Sequence, residues 1–415
     1  MATSTPAPAY TLKTILRLKP FRTLWLAQFV SIFGDFLALF GVIALITFRW
    51  HGTPVQVTAV SIAYLLPLAI IGPVAGVFVD HWNVKRIMIA SDLIRAGLIM
   101  GLVFATDVRQ ICMIFAVLSA VSSFFAPAQS VTLRTVVPVE GLLAANSLMA
   151  QAFYVVRLLS PALAGALVSW LTEKSCFYLD TASFVFSAAM ISTLSVARPV
   201  RAQVEKTVKS LTQDFLAGNK FIFTHAGLAF VFIAMAMAMF MLGSFSPLIS
   251  IYIRDSLSAG PKAFGTISAM VGVGLIAGTQ LVNRLGSRPK AHVVVGGLFG
   301  LGVGVALLGL FHNIPMAGLS TLTMGFAIAF VFVPAQTMSQ QETPPAMVGR
   351  VSSSFMSLIS LAQVLGLLLS GLLAQRLGIR QLFLVSAGVL ALISGTGYLM
   401  VRGRPAAATP ASTQP

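Results

Sequence analysis

Long apolar runs, interrupted by short segments that carry charge, proline or glycine, recur along the whole chain. Each run is close to the about 20 residues that an α-helix needs to cross a hydrocarbon layer about 30 Å thick. The pattern predicts twelve spans, near 23–48, 55–79, 86–106, 110–131, 143–171, 176–197, 226–252, 263–283, 292–311, 315–338, 351–375 and 380–401. The longest polar stretch, Arg198 to Lys220, divides them into two sets of six. The expected organisation is a cytoplasmic N-terminal segment (1–22), a six-helix bundle (23–197), a basic cytoplasmic linker (198–225), a second six-helix bundle (226–401) and a disordered cytoplasmic tail (402–415).

An internal repeat supports that division. Phe125-Ala-Pro-Ala-Gln-Ser130 returns as Phe332-Val-Pro-Ala-Gln-Thr337, an offset of 207 residues that also carries Pro138 onto Pro345. Each copy ends the fourth span of its half. Two related bundles with a site between them near the membrane midplane are a recurring plan in secondary transporters.

Polar groups inside the spans are the candidate chemistry. The first span carries one charge, Asp35, which at about 1.5 Å per residue lies roughly 16 Å in from Leu24. An acid at that depth is costly unless it is protonated, paired or facing water, so it marks a functional position. Gln28, Ser31 and Asp35 share one helix face and make this span cavity-lining. Asp35 reads either as a proton-coupling carboxylate or as a structural acid paired with Arg157, which also sits at mid-depth. Asp92 and Arg95, three residues apart, read as a neutralised pair that holds the first bundle. Asp180 reads as a structural acid near water at the outer end of span six. Tyr64 and Gln363 are cavity candidates, and Gln129 and Gln336, equivalent in the repeat, either contact cargo or bridge helices. Met235, Met237, Met239, Phe240 and Met241 suit promiscuous binding or lipid contact.

Composition fixes the class. Hydrophobic residues make up 57% of the chain and charged residues 9%, against about 25% charged in a soluble domain. This is an all-α polytopic membrane protein. The net charge of +16 follows from orientation, because basic residues gather on cytoplasmic loops. Arg198, Arg201, Lys206, Lys209 and Lys220 lie in the centre, so both termini are expected in the cytoplasm and the protein in the inner (plasma) membrane. Trp25, Trp50, Trp82 and Trp170 fall at span ends, where interfacial rings belong. No basic face with interleaved aromatics points to nucleic acid. Cys112 and Cys176 lie in or beside spans and the five histidines are dispersed, so no disulfide framework, metal, cofactor or catalytic cluster is expected, and the chain does not read as an enzyme. The polar, basic stretch from Met1 to Arg22 is not a cleavable signal. The sequence holds no Walker-type phosphate loop for direct ATP use.

The loop after span two reads Gly76-Val-Phe-Val-Asp80-His-Trp-Asn-Val-Lys85-Arg86. It resembles the G-x-x-x-D-R-x-G-R-K-R loop of major facilitator transporters, keeping the glycine, the aspartate and the final Lys-Arg pair, and departing at His81, Asn83 and Val84. The resemblance implies the major facilitator fold, with twelve transmembrane helices in two pseudo-symmetric six-helix bundles. It also implies a cytoplasmic gate of Gly76, Asp80, Lys85, Arg86 and Arg350, in which Asp80 faces the start of span eleven. Otherwise Asp80 only caps the turn into span three.

Arg157-Leu-Leu-Ser-Pro161-Ala-Leu-Ala-Gly165 is similar to the G-P-x-x-G-G element of the exporting branch, with Ser160 and Ala164 in place of glycines. Gly34-Asp35, Asp92-Leu-Ile-Arg95 and Ala145-Asn146-Ser147 resemble bacterial drug- and macrolide-efflux transporters, and Glu342 to Arg350 is similar to the same segment of siderophore exporters. Span four lacks the arginine common in drug/proton antiporters, so Arg157 replaces it or the coupling differs. The resemblance implies a small-molecule exporter working by alternating access against protons, functional as a monomer in the lipid bilayer. A lysophospholipid flippase or importer and a siderophore or metabolite carrier are the alternatives.

Overall fold

The computed structural model describes residues 11–79, 82–195, 208–284, 291–344 and 347–402. In chain order its helices are α1 (Leu12–Arg17), α2 (Lys19–Ala44), α3 (Pro54–Val79), α4 (Val84–Leu102), α5 (Val108–Val136), α6 (Leu142–Trp170), α7 (Glu173–Ser192), α8 (Val208–Thr224), α9 (Ala226–Phe245), α10 (Leu248–Asp255), α11 (Pro261–Arg284), α12 (Ala291–Leu310), α13 (Ile314–Gln341), α14 (Val348–Leu377) and α15 (Ile379–Arg402). A π-turn, Leu45–Arg49, closes α2, and a 3₁₀ turn, Val139–Gly141, opens α6. Among the described residues there is no strand. In a bilayer only helices and closed barrels satisfy every backbone polar group, so the all-helical outcome follows from the apolar runs.

Eleven of the described helices are long and apolar enough to span a membrane. Their outward faces carry large apolar side chains, for example Leu392 and Leu399 on α15 and Leu361 and Leu372 on α14. Such belts have a partner in lipid chains and none in water. The predicted third span, 86–106, corresponds to α4, which holds Lys85, Arg86, Asp92 and Arg95 and therefore falls short of that apolarity. It packs between α5 and α7 and buries Asp92 and Arg95 there.

Two expectations change. The seventh span, read as continuous over 226–252, breaks at Ser246-Pro247 into α9 and α10. Proline has no amide hydrogen to continue the helical ladder. Part of the stretch read as linker is helical, since α8 occupies Val208–Thr224 and buries Ile222. The tail beyond residue 402 and residues 196–207 of the linker lie outside the described residues.

Compactness divides the chain into two units. Unit 1 comprises Met1–Leu211, Gly243–Ala269 and Val364–Arg376. Inside it α2 packs on α6 and α7, α3 on α5, and α4 on α5 and α7. Phe21, Phe115, Phe177 and Phe184 are among its wholly buried rings. Unit 2 comprises Thr212–Leu242, Met270–Gln363 and Leu377–Pro415, and is built on α12 packed against α13 and α15.

Candidate functional site

The centre of unit 1 holds a cluster of charges. Asp35 comes from α2, Asp92 and Arg95 from α4, and Asp180 from α7. On α4, the three-residue spacing of Asp92 and Arg95 puts both side chains on one face and closes an ion pair between the Arg95 Nη2 and the Asp92 Oδ1. The Arg95 Nη1 lies 3.9 Å from the Asp35 Oδ2. The guanidinium is also sandwiched between two rings, its Cζ 4.5 Å from the centroid of Phe125 and 4.3 Å from that of Phe184. Ring faces carry negative potential and add about 0.5–2 kcal/mol each to the hold on a cation, most where water is excluded. Arg95 is thus fixed by two carboxylates and two rings.

The members of the cluster differ in exposure. The side chains of Asp92 and Arg95 are 0% and 5% exposed, whereas that of Asp35 is 21% exposed. Asp35 is therefore the most exposed member of this ion-paired group. Asp92 also has the Ser187 hydroxyl beside it.

Asp180 sits deeper than the sequence reading placed it. It is wholly buried and faces α2, where a β-carbon on Gly34 would collide with its carboxylate and with Ser183. The reason is register: Cys176, Phe177, Asp180, Ser183, Phe184 and Ser187 lie at three- and four-residue spacings along the buried face of α7. Gly34, together with Gly41 opposite Cys176, lets this face approach. The Ser183 hydroxyl donates to the Asp180 Oδ1 at 3.0 Å, while the Asp180 Oδ2 has no hydrogen-bond partner among the described residues. The Asp92 Oδ2 is unpartnered in the same sense.

A buried carboxylate oxygen without a donor is expensive in its charged form. Three acids gather here around one arginine, and with all of them ionised the four groups would carry an excess of negative charge inside an apolar bundle.

Several predicted residues join this site and others do not. Tyr64 on α3 is half-buried, packs edge-on against Phe115 at 5.8 Å between centroids, and is near enough to feel the charges of Asp35 and Arg95. Gln28 and Ser31 are buried on α2, and the Gln28 amide nitrogen has no hydrogen-bond partner among the described residues. Arg95 lies at ion-pair distance from Asp35; Arg157, the partner expected from depth alone, stands at an exposed position of α6. The Gln129 amide nitrogen contacts the Met149 sulfur at 3.9 Å and so links α5 to α6. Gln336, exposed on α13, and Gln363, half-buried on α14, belong to unit 2.

Of the expected gate, Asp80 and the side chains of Gly76 and Arg350 lie outside the described residues. Lys85 donates from its Nζ to the Ser192 carbonyl at 2.6 Å and ties the start of α4 to the end of α7. The Arg86 amide is capped by the Asn83 Oδ1 at 3.1 Å. Asn83, a departure from the family pattern, is thus the side chain that starts α4.

A second set of contacts in unit 1 surrounds the π-turn at the end of α2. Arg254 of α10 donates through one Nη1 to the carbonyls of Thr47 and Gly52, at 2.8 and 2.9 Å. The hydroxyls of Thr47 and Ser250 are 2.9 Å apart. Phe264 of α11 packs against Phe40 and Phe48, at 5.3 and 6.1 Å between centroids. Ser160, Pro161 and Gly165 are buried on α6, and Gly165 meets Gly265 of α11 backbone to backbone. These contacts join segments from the two halves of the sequence.

Sequence reasoning named Asp180 as a structural acid but not its burial against α2, and it missed the second carboxylate on Arg95, the two rings around it and the Arg254 contacts. The stripe Asp180-Ser183-Ser187 at helical spacing was the available signal for that burial.

The sequence profile of the Major Facilitator Superfamily matches residues 24–367 and, again, 231–415. The chain is 26% identical over 383 residues to the uncharacterized MFS-type transporter YfiS of Bacillus subtilis (strain 168), covering 90% of this chain and 91% of that one. It is 25% identical over 389 residues to macrolide efflux protein A of Streptococcus pyogenes, covering 90% and 94%. Among solved structures, a bacterial homologue of the human lysosomal transporter Spinster in an inward-facing, unoccupied conformation matches with a TM-score of 0.73 at 12% identity, covering 92% of this chain and 97% of that one. That likeness shows the fold. The profile match runs over most of the chain and agrees with the apolar helices, so this protein belongs to the Major Facilitator Superfamily.

Proposed function

We propose that this chain is a secondary transporter that exports amphipathic small molecules, of the drug or macrolide kind, in exchange for protons. Its termini and the basic linker face the cytoplasm, and one chain supplies both six-helix halves, so the monomer is the working unit. The observation that carries the reading is the cluster of Asp35, Asp92 and Arg95 at mid-span, buried on all sides except at Asp35. A membrane-buried acid with one open side and a tightly held cation on the other can exchange a proton with a cavity. The likeness to macrolide efflux protein A supports outward movement of cargo.

Alternating access assigns a job to each region. Arg254, Thr47, Ser250 and the Gly165–Gly265 contact hold the outer end shut. The Gly76-to-Arg86 loop performs the same task at the cytoplasmic end. Protonation of Asp35 weakens its attraction to Arg95, and cargo release and proton uptake alternate at residues of unit 1 that include Gln28, Ser31, Tyr64 and Gln129.

The test is a toxicity and dye-efflux panel in an efflux-deficient bacterial host, comparing wild type, Asp35→Asn and empty vector, with and without a protonophore. Protection by the wild type alone, abolished by the protonophore, is the expected result. Protection that survives in Asp35→Asn with unchanged pH dependence would sink the coupling role. No protection against any compound, with uptake of labelled lysolipid into spheroplasts, would replace export by lipid import.

A further inference from the structure

The coupling reading uses Asp35 and leaves Asp180 without a task. Asp180 is an acid with no exposure, and its place is unusual for a structural group. A structural acid in an apolar bundle is normally held by a base or saturated with donors. Asp180 has one hydroxyl, Ser183, on one oxygen and no hydrogen-bond partner among the described residues on the other. The nearby guanidinium of Arg95 is already engaged by Asp92, Asp35 and two rings.

The groups around Asp180 can be taken element by element. From α2 it faces Asp35, the residue next to the Gly34 backbone on which its carboxylate rests. From α4 it faces Asp92 and Arg95, and from α3 Tyr64. Its own helix adds Cys176 and Glu173, and α6, packed on α7, carries Arg157 at an exposed position. The immediate surroundings are thus two acids and one shared base.

We propose that Asp180 is a second, inner proton-binding residue, filled and emptied through Asp35. Asp35 is partly exposed, whereas Asp180 is wholly buried with its carboxylate against the Gly34 backbone, one residue from Asp35 along α2. A proton arriving on Asp35 passes to the Asp180 carboxylate; Asp35 returns to its carboxylate form and can accept another. The O–H bond formed on Asp180 balances the one broken on Asp35, and no other reactant is needed. The cluster then binds one proton more than Asp35 alone can hold.

This inference rests on the proton-coupled reading, but it is tested without cargo or transport. Infrared difference spectra of the purified, detergent-solubilised protein are recorded between about pH 9 and about pH 6, a range in which exposed carboxylates stay ionised. The protonated-carboxyl band is followed in wild type, Asp35→Asn and Asp180→Asn. The expected result is a titrating band in wild type that loses about half its amplitude in Asp180→Asn. Asp35→Asn is expected to retain a titrating band whose exchange in heavy water is slower than in wild type. An undiminished band in Asp180→Asn, or an Asp180 band that is present at every pH, overturns the proposal. Should Asp180→Asn fail to fold, Asp35→Asn alone decides: absence of any titrating carboxyl in that variant also overturns it. Failure of the export reading in the efflux panel would leave these spectra unchanged.

Discussion

Gly265 of α11 lies so close to Gly165 of α6 that a β-carbon on Gly265 would stand 2.8 Å from the Gly165 Cα and 3.1 Å from its amide nitrogen. The same β-carbon would press on the Pro161 carbonyl. Backbone cannot move aside as a side-chain tip does, and small residues at helix crossings are what permit this approach. Pro161 and Gly165, read from the sequence as an exporter-like element, are thus one wall of a close helix crossing.

Gly265→Val should hold α6 and α11 apart, at a packing penalty of about 1–3 kcal/mol. In a background with Cys112 and Cys176 replaced by alanine, a cysteine at Thr47 should react faster with an impermeant maleimide added outside once Gly265→Val is present. Equal labelling rates would remove this crossing from the outer closure.

Arg254 should act at the same end through hydrogen bonds rather than packing. Arg254→Gln loses the charge-assisted bonds to the Thr47 and Gly52 carbonyls, each worth about 1.5–3 kcal/mol in typical cases. Backbone amide exchange over residues 45–52 is expected to rise while exchange in α12 and α13 stays as in wild type. Exchange mass spectrometry in detergent reads both regions in one run.

Removing the charge of Arg95 should destabilise the protein strongly. Arg95→Met leaves Asp92 wholly buried and without its cation, a situation that costs about 3–5 kcal/mol. Its melting temperature in detergent should fall well below that of the double variant Asp92→Asn/Arg95→Met, because the second change removes the stranded charge. Arg95→Lys should rescue only in part, since an ammonium cannot lie flat between Phe125 and Phe184 while reaching two carboxylates.

Gly34→Ala should separate α2 from α7, because the added methyl would meet the Asp180 carboxylate and stand 2.9 Å from the Ser183 Cβ. Loss of about 1–3 kcal/mol is expected. Ser183→Gly removes the obstructing side chain and should recover part of the loss in the double variant. A double variant no more stable than Gly34→Ala would mean that the strain lies elsewhere.

The sequence by itself determined the class, the approximate spans and the two-fold repeat, because each depends on local chemistry. A run of about 20 apolar residues has few options in a bilayer, and Asp35 stood out because any acid at that depth is conspicuous. The Asp92–Arg95 contact was legible too, since helical geometry alone brings positions three apart together. What the sequence left open was which helix faces meet. Arg95 was assigned one carboxylate, and only the packing of α2 against α7 beside α4 brought the second, Asp35, to 3.9 Å. Asp180 read as an acid near water until that packing buried it behind Gly34. The Gly165–Gly265 contact joins residues far apart in the chain, and nothing in either glycine names its partner. Spans are written in short-range hydrophobicity, whereas contacts between them follow from helix rotation and crossing, which many residues set together.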